Sequence, residues 1–300
     1  MPDPEQRKIP LTTVGRPLDW KVMTNRVIMT LFFGVLVVGS IALTTQDVPL
    51  NAAAFEALSL AGALFFGWML GREIDPDRWY SAFIAAAFAG ANAFFVGAPH
   101  FLLLFWIAIG LRFVNRTSGE GPGILDFIAY FGIIFWLGHS THWAVPLLAL
   151  PTLPFAGLER FPRWSRIALP AALAAAGVVF GFTQAWQLVF ISPAERSGLL
   201  IIICLVAAAS LPVIWSYNSV RSVGDRGGKP LEPHRVQWGI TWAVGIGMIL
   251  TLIAGMTIVE MAPLWAAIVA SFIGWLIGST LSRIQIDRRR RGVRRKITRR

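Results

Sequence analysis

The chain has 300 residues, of which 55% are hydrophobic and only 14% are charged, with a formal net charge of +11. A soluble domain carries about 25% charged residues, so this composition excludes an ordinary water-soluble globular protein. The single cysteine excludes an intramolecular disulfide and any cysteine-based metal site.

The charge is carried by the ends. Residues 1–26 hold five Lys/Arg against three acids, and residues 283–300 hold ten Lys/Arg against Asp287. Between Val27 and Leu281 long apolar runs recur, broken by short loops, which is the pattern of transmembrane helices. Within hydrocarbon every backbone amide must be paired, so only helices or a closed barrel are possible. Leu199–Ala209 is continuously apolar without alternation, which excludes a barrel. Cys204 lies in that run and reads as a small core residue. The expected fold is an all-α integral membrane protein of about ten transmembrane helices with both termini cytoplasmic, multi-pass in the inner or plasma membrane.

Residues 1–26 contain four prolines and read as a short solvated arm. The first apolar run starts near Val27 and lacks a small-x-small cleavage site, so it reads as a membrane helix rather than a cleavable signal. Helices are then expected at about 27–43, 52–70, 79–96, 100–114 and 124–141. A sixth, at 143–158, is interrupted by Pro146, Pro151 and Pro154. Four more are expected at 167–190, 198–216, 238–259 and 263–282. This gives a polytopic domain at 27–282 followed by a basic cytoplasmic tail at 283–300.

Lys and Arg in short loops stay on the cytoplasmic side. Charges near the ends of helices 2, 4, 6 and 8 number two, two, three and four, whereas the intervening loops carry only Arg196. With both ends included, 26 positive charges fall on one side and one on the other. Treating 143–158 as a re-entrant hairpin would place the basic tail outside. Trp20, Trp79, Trp143, Trp164, Trp186, Trp215, Trp238 and Trp265 fall near expected helix ends, as an interfacial belt requires.

Five features carry chemistry. His139 and His142 share a helical face if helix 5 reaches them, and His100 opens helix 4 on the same outer side near Glu56. Such histidines either cap helix ends or bind a metal or haem. No cofactor is otherwise expected. Arg72-Glu-Ile-Asp-Pro-Asp-Arg78 is either an oxygen site for a divalent cation or a self-neutralised turn whose Asp-Pro-Asp caps helix 3. It lies about 30 Å from the histidines across the hydrocarbon, so the two sets cannot share one metal.

The broken helix 6, with Pro146 and Pro151, is either a plain kink or a transporter-type site in which freed backbone faces a cavity. Polar residues within spans are the fourth feature: Glu56, Asn92, Asp126, Thr183, Gln184 and Gln187. Ionisable residues there are functional candidates, although Glu56 and Asp126 sit near span ends and Asn92 and Gln184 suit pairing between helices. Gly67-x-x-x-Gly71, Gly177-x-x-x-Gly181 and Gly274-x-x-x-Gly278 read as helix-packing faces. Last, the tail residues Arg288, Arg289, Arg290, Arg291, Arg294, Arg295 and Lys296 form a juxtamembrane cluster suited to anionic lipid. They lack the interleaved aromatics that favour nucleic acid.

In helix count and length the chain resembles the drug/metabolite transporter superfamily. That resemblance implies two halves of five helices in inverted repeat. The expected function is a small-molecule permease with an unidentified substrate. The alternatives are a non-catalytic partner or scaffold subunit, alone or as a homo-oligomer, and a membrane-embedded enzyme or cofactor protein using the outer histidines.

Overall fold

The computed structural model describes residues 11–13, 15, 18–119, 121–158, 162–186, 193–225 and 228–297, and the side chains of these except 193–197 and 282–297. The described residues are helical apart from loops and one isolated bridge between Val223 and Pro230. The helices are α1 Met23–Thr44, α2 Leu50–Ile74, α3 Trp79–Phe95, α4 Phe101–Asn115 and α5 Ile124–Ser140. There follow α6 Val145–Ala149 with a 3-10 helix Leu150–Phe155, then α7 Ser165–Thr183, α8 Pro193–Ser216, α9 Pro233–Leu252 and α10 Ala262–Ile297. Among the described residues, five stretches are long and apolar enough to cross a membrane: Met23–Thr44, Leu50–Ile74, Ser165–Thr183, Gly198–Ser216 and Ala262–Leu281. This is an α-helical architecture suited to membrane insertion.

Helix ends meet at two levels. At one level the C-terminal ends of α2, α4 and α8 meet the N-terminal ends of α3 and α9 through hydrogen bonds. At the other, His100 at the start of α4 donates its backbone N–H to Glu260 O in the α9–α10 loop at 3.0 Å. We call these the Asp75 end and the His100 end.

The expected sixth membrane helix is corrected. It is a five-residue α-helix continued by a six-residue 3-10 helix. Pro151 and Pro154 lack the N–H an α-helix needs, and the chain tightens instead. The segment rises only about 20 Å, less than the ~30 Å hydrocarbon. It nonetheless runs from the end of α5 to the start of α9, where Arg235 Nη1 donates to Phe155 O at 3.2 Å.

Other boundaries shift for local reasons. The expected helix 167–190 stops at Thr183, because Ala185 and Trp186 adopt left-handed backbone at φ 50° and 49°. Trp186 N–H then bonds Gly181 O at 2.7 Å, the closure that caps a helix C-terminus. The Trp186 ring lies where a Gly181 Cβ would stand, so glycine is required there. The expected helix 238–259 starts five residues early, at Pro233, and stops at Leu252 ahead of Gly255 with φ +71°. α8 begins at Pro193, inside the expected loop. The tail continues α10 to Ile297, and the side chains of Arg288–Lys296 lie outside the described residues. Gln187 also lies outside them.

The small-residue faces bring helices together. A Cβ on Gly67 would meet Ala85 O at 2.7 Å, and one on Gly71 would meet Ala82 Cα at 2.8 Å, so α2 and α3 touch backbone to backbone. Helix α4 occupies the core, with Leu103, Trp106, Leu111 and Phe113 fully buried. Its Gly110 lies under the Trp242 ring of α9, 2.2 Å from where a Cβ would be. That ring is fixed, because Trp242 Nε1 donates to Leu148 O at 2.9 Å and the ring forms a T-shaped pair with Trp106. Gly110→Ala is therefore expected to destabilise the protein by about 1–3 kcal/mol through overpacking. Denaturation in mixed SDS micelles measures this, and Trp242→Phe in the same chain should relieve part of the loss.

Candidate functional site

The polar heart of the molecule is the stretch leaving α2. Asp75 precedes Pro76, and a residue before proline is disfavoured in helical backbone, so α2 ends and three carboxylates splay apart. Each reaches a different part of the chain. Glu73 Oε1 accepts from Arg112 Nε of α4 at 2.9 Å, and Oε2 accepts from Thr117 Oγ1 at 2.7 Å. Its backbone carbonyl accepts from Asn115 Nδ2 at 2.6 Å.

Asp75 accepts from Arg78 Nη1 at 3.0 Å, from Ser81 Oγ at 2.5 Å, and from the Tyr217 hydroxyl at the end of α8. Arg78 also donates to Ser216 Oγ at 3.2 Å and lies 5.5 Å above the Tyr217 ring. Gly274 of α10 packs on this group, where any Cβ would fall 2.0 Å from Ser81 Oγ. Asp77 accepts the backbone N–H groups of Arg221 and Ser222 at 3.1 and 2.8 Å. The expected Asp cap on α3 is thus corrected: Arg78 holds that position without a side-chain bond, and Asp77 faces the α8–α9 loop.

Burial holds the Asp75 carboxyl above the usual carboxylate value, against the pull of Arg78, Ser81 and Tyr217. Burial and the neighbouring Asp75 push the Tyr217 hydroxyl well above the ordinary tyrosine value. Tyr217 is therefore the donor and Asp75 the acceptor. Asp126, near the start of α5, is buried. It caps α5 through Gly123 N–H at 2.8 Å and accepts from Thr13 N at 2.7 Å and Thr12 Oγ1 at 2.5 Å. Residues 11–13 of the arm are thereby tied to the start of α5, with Thr13 buried and Leu11 and Thr12 still exposed.

These carboxylates diverge onto separate donors and fasten helix ends. No group of three or more His, Cys, Asp or Glu among the described residues is arranged to hold a metal ion. His100, His139 and His142, the three histidines expected on the outer side, are not brought together as a ligand set among the described residues. His100 caps α4, its Nδ1 accepting from Leu103 N–H at 3.3 Å. Helix α5 stops at Ser140, so His139 and His142 do not share a helical face. His142 is buried, with Nδ1 accepting from Ala144 N–H at 3.1 Å, and His139 is exposed beside Phe180.

Gln184 does not pair with Asn92. It sits past α7, where its amide donates to Gly138 O at 2.7 Å and His139 O at 3.0 Å and accepts from Trp143 N–H at 3.0 Å. The broken segment around Pro146 and Pro151 is also tied down. Leu148 O accepts from Trp242, Pro151 O from Trp238 at 3.2 Å, and Ala149 O from Thr152 Oγ1 at 2.7 Å. A cavity of about 430 Å³ touches Leu150, Leu153 and Pro154 beside Arg166, away from both of those prolines.

Glu56 has a different setting. A cavity of about 430 Å³ lies where the C-terminal ends of α1 and α3 meet the N-terminal part of α2. Gln46, Glu56 and Ser59 supply its polar groups, and Ala57, Leu60 and Phe94 are among its apolar walls. Asn92 stands beside the lining residue Ala93, and its Oδ1 is buried without a donor among the described residues.

The sequence marked Glu56 and the acidic stretch, but not Arg112, Thr117, Ser81 or Tyr217. Only Arg112 carried a signal, a charge inside an apolar helix. No protein-family model matches the chain, and neither the curated proteins nor the solved structures contain a match.

Proposed function

We propose that the chain is a permease-like membrane protein that takes a small cationic solute into the cavity at Glu56. The supporting observation is that cavity: about 430 Å³, mostly apolar, with one carboxylate and two neutral polar side chains. Solute sites are typically concave and apolar, about 300–1,000 Å³ in volume, with a few polar groups that orient the ligand. A carboxylate one turn inside a membrane helix is held there at a cost, which suits a role in recognising positive charge. The alternative site at Pro146 and Pro151 has little support, because the carbonyls at Leu148, Ala149 and Pro151 already accept protein donors.

The test is uptake of radiolabelled tetraethylammonium into liposomes carrying the purified chain, compared with empty liposomes. Saturable uptake is expected, with at least a tenfold loss of apparent affinity in Glu56→Gln, equivalent to about 1.4 kcal/mol. Equal uptake by wild type and variant would remove Glu56 from the reading. No uptake by either would favour the partner-subunit alternative.

A further inference from the structure

A second, smaller cavity of about 210 Å³ lies at the Asp75 end, between the arm near Leu18 and the facing sides of α2 and α4. Its polar lining is Trp68, Arg72, Glu73 and Arg112. Trp68 is only 3% exposed, yet its indole N–H meets no acceptor among the described residues. Buried donors almost always have a partner, so an unmet one lining a cavity points to a ligand that accepts.

The surrounding charge points to an anion. Arg72 lies 5.1 Å from the Trp68 ring centroid and donates to Asn25 Oδ1 at 3.2 Å, which positions its guanidinium beside the indole. Glu73 contributes a carboxylate, but both of its oxygens are engaged, by Arg112 and by Thr117. The Glu73 carboxylate is turned to Arg112 and Thr117, and the Arg72 guanidinium stands beside the unmet indole N–H. The volume is below that of an ordinary solute pocket, about 300 Å³ at the least, so it suits a compact group. Phe65 and Leu18 give one wall an apolar character.

We propose that this cavity binds a phosphate group, with the Trp68 indole N–H and the Arg72 guanidinium as donors. Arginine matches phosphate geometry through its planar fork of donors. Basic pockets between membrane helices on the cytoplasmic side take phospholipid headgroups in the same way. The phosphate belongs either to an anionic lipid or to a free inorganic ion. This site is separate from the Glu56 cavity and does not depend on it.

The test uses the full chain in a zwitterionic detergent. It is titrated with inorganic phosphate and, separately, with dihexanoyl phosphatidylglycerol, and binding is followed by native mass spectrometry and tryptophan fluorescence. Wild type should bind at least one probe saturably. Trp68→Phe, which keeps the ring and removes the donor, and Arg72→Gln should each weaken that binding at least tenfold. The basic tail attracts both probes equally in all three proteins, so the difference between them reports the cavity. Binding of phosphatidylglycerol without competition from phosphate assigns a lipid headgroup, and binding of phosphate alone assigns the free ion. Absence of saturable binding by either probe overturns the proposal, as does unchanged affinity in Trp68→Phe. If Arg72→Gln does not fold, Trp68→Phe decides alone.

Discussion

Asp75→Ala is expected to cost on the order of 3–5 kcal/mol, the range for removing one partner of a buried charge pair. The reason is what remains behind. Arg78 Nη1, Ser81 Oγ and the Tyr217 hydroxyl all donate to this one carboxylate. Gly274 packs against the same group, so water has little room to replace the lost acceptor. Tyr217→Phe removes a single donor and should cost less, about 1–3 kcal/mol. The two changes should not add, with a coupling of about 0.5–3 kcal/mol, because Tyr217 loses its partner in either variant. Denaturation in mixed SDS micelles measures all three. Additive losses would show that the bond between α8 and the α2–α3 turn contributes nothing of its own.

The same carboxyl predicts a pH dependence. Burial raises its folded value above the ordinary 3.8. Its favourable contribution is therefore full below about pH 3.8 and is lost as pH rises through the raised value, because the folded state holds the proton more tightly. Asp75→Asn cannot titrate. The stability difference between wild type and Asp75→Asn should shift in favour of wild type as pH falls through that window. A constant difference across it would contradict the raised value.

Helix existence was legible in the sequence because apolar run length answers directly to membrane thickness. The turn after α2 and the loop after α8 do meet, where Asp77 accepts from Arg221 and Ser222 N–H. Two stops were missed. Gly255 ends a helix inside a run that remains apolar, and the left-handed pair Ala185 and Trp186 ends another where only Thr183 and Gln184 interrupt the hydropathy. The cluster at the Asp75 end was half legible. Three acids in five residues were visible, but their partners lie up to 145 residues away, at Ser222. Pairing at that separation depends on how α2, α4 and α8 pack, which local pattern does not encode. Tyr217 and Thr117 gave no signal at all, since a tyrosine or threonine at a membrane helix end is ordinary. The histidines were legible in part, since His100 does cap α4. The spacing of His139 and His142 suggested a shared face, but that face required a helix that stops at Ser140.

The second large effect belongs to Glu73 and Arg112. Their side chains are 1% and 14% exposed, and the bond between them joins the last turn of α2 to α4. Arg112→Ala is expected to cost on the order of 3–5 kcal/mol, because Glu73 would stay buried and charged with only Thr117 donating to its carboxylate through a described bond. Glu73→Ala should also destabilise the protein, by removing the acceptor of both the Arg112 guanidinium and the Thr117 hydroxyl. Replacing both, as Glu73→Gln with Arg112→Met, should recover most of the loss, since neither variant residue is charged and the glutamine still accepts from Thr117. The packing around the pair is unforgiving. Asn115 Nδ2 donates to Glu73 O from the end of α4, and α9 admits that side chain only because Gly239 has no Cβ, which would lie 2.2 Å from Asn115 Oδ1. Recovery in the double variant would show that the charges are needed only to neutralise one another. If the double variant is no more stable than either single one, the guanidinium itself is required, and a second anion beside Trp68 and Arg72 becomes the natural reason for keeping it.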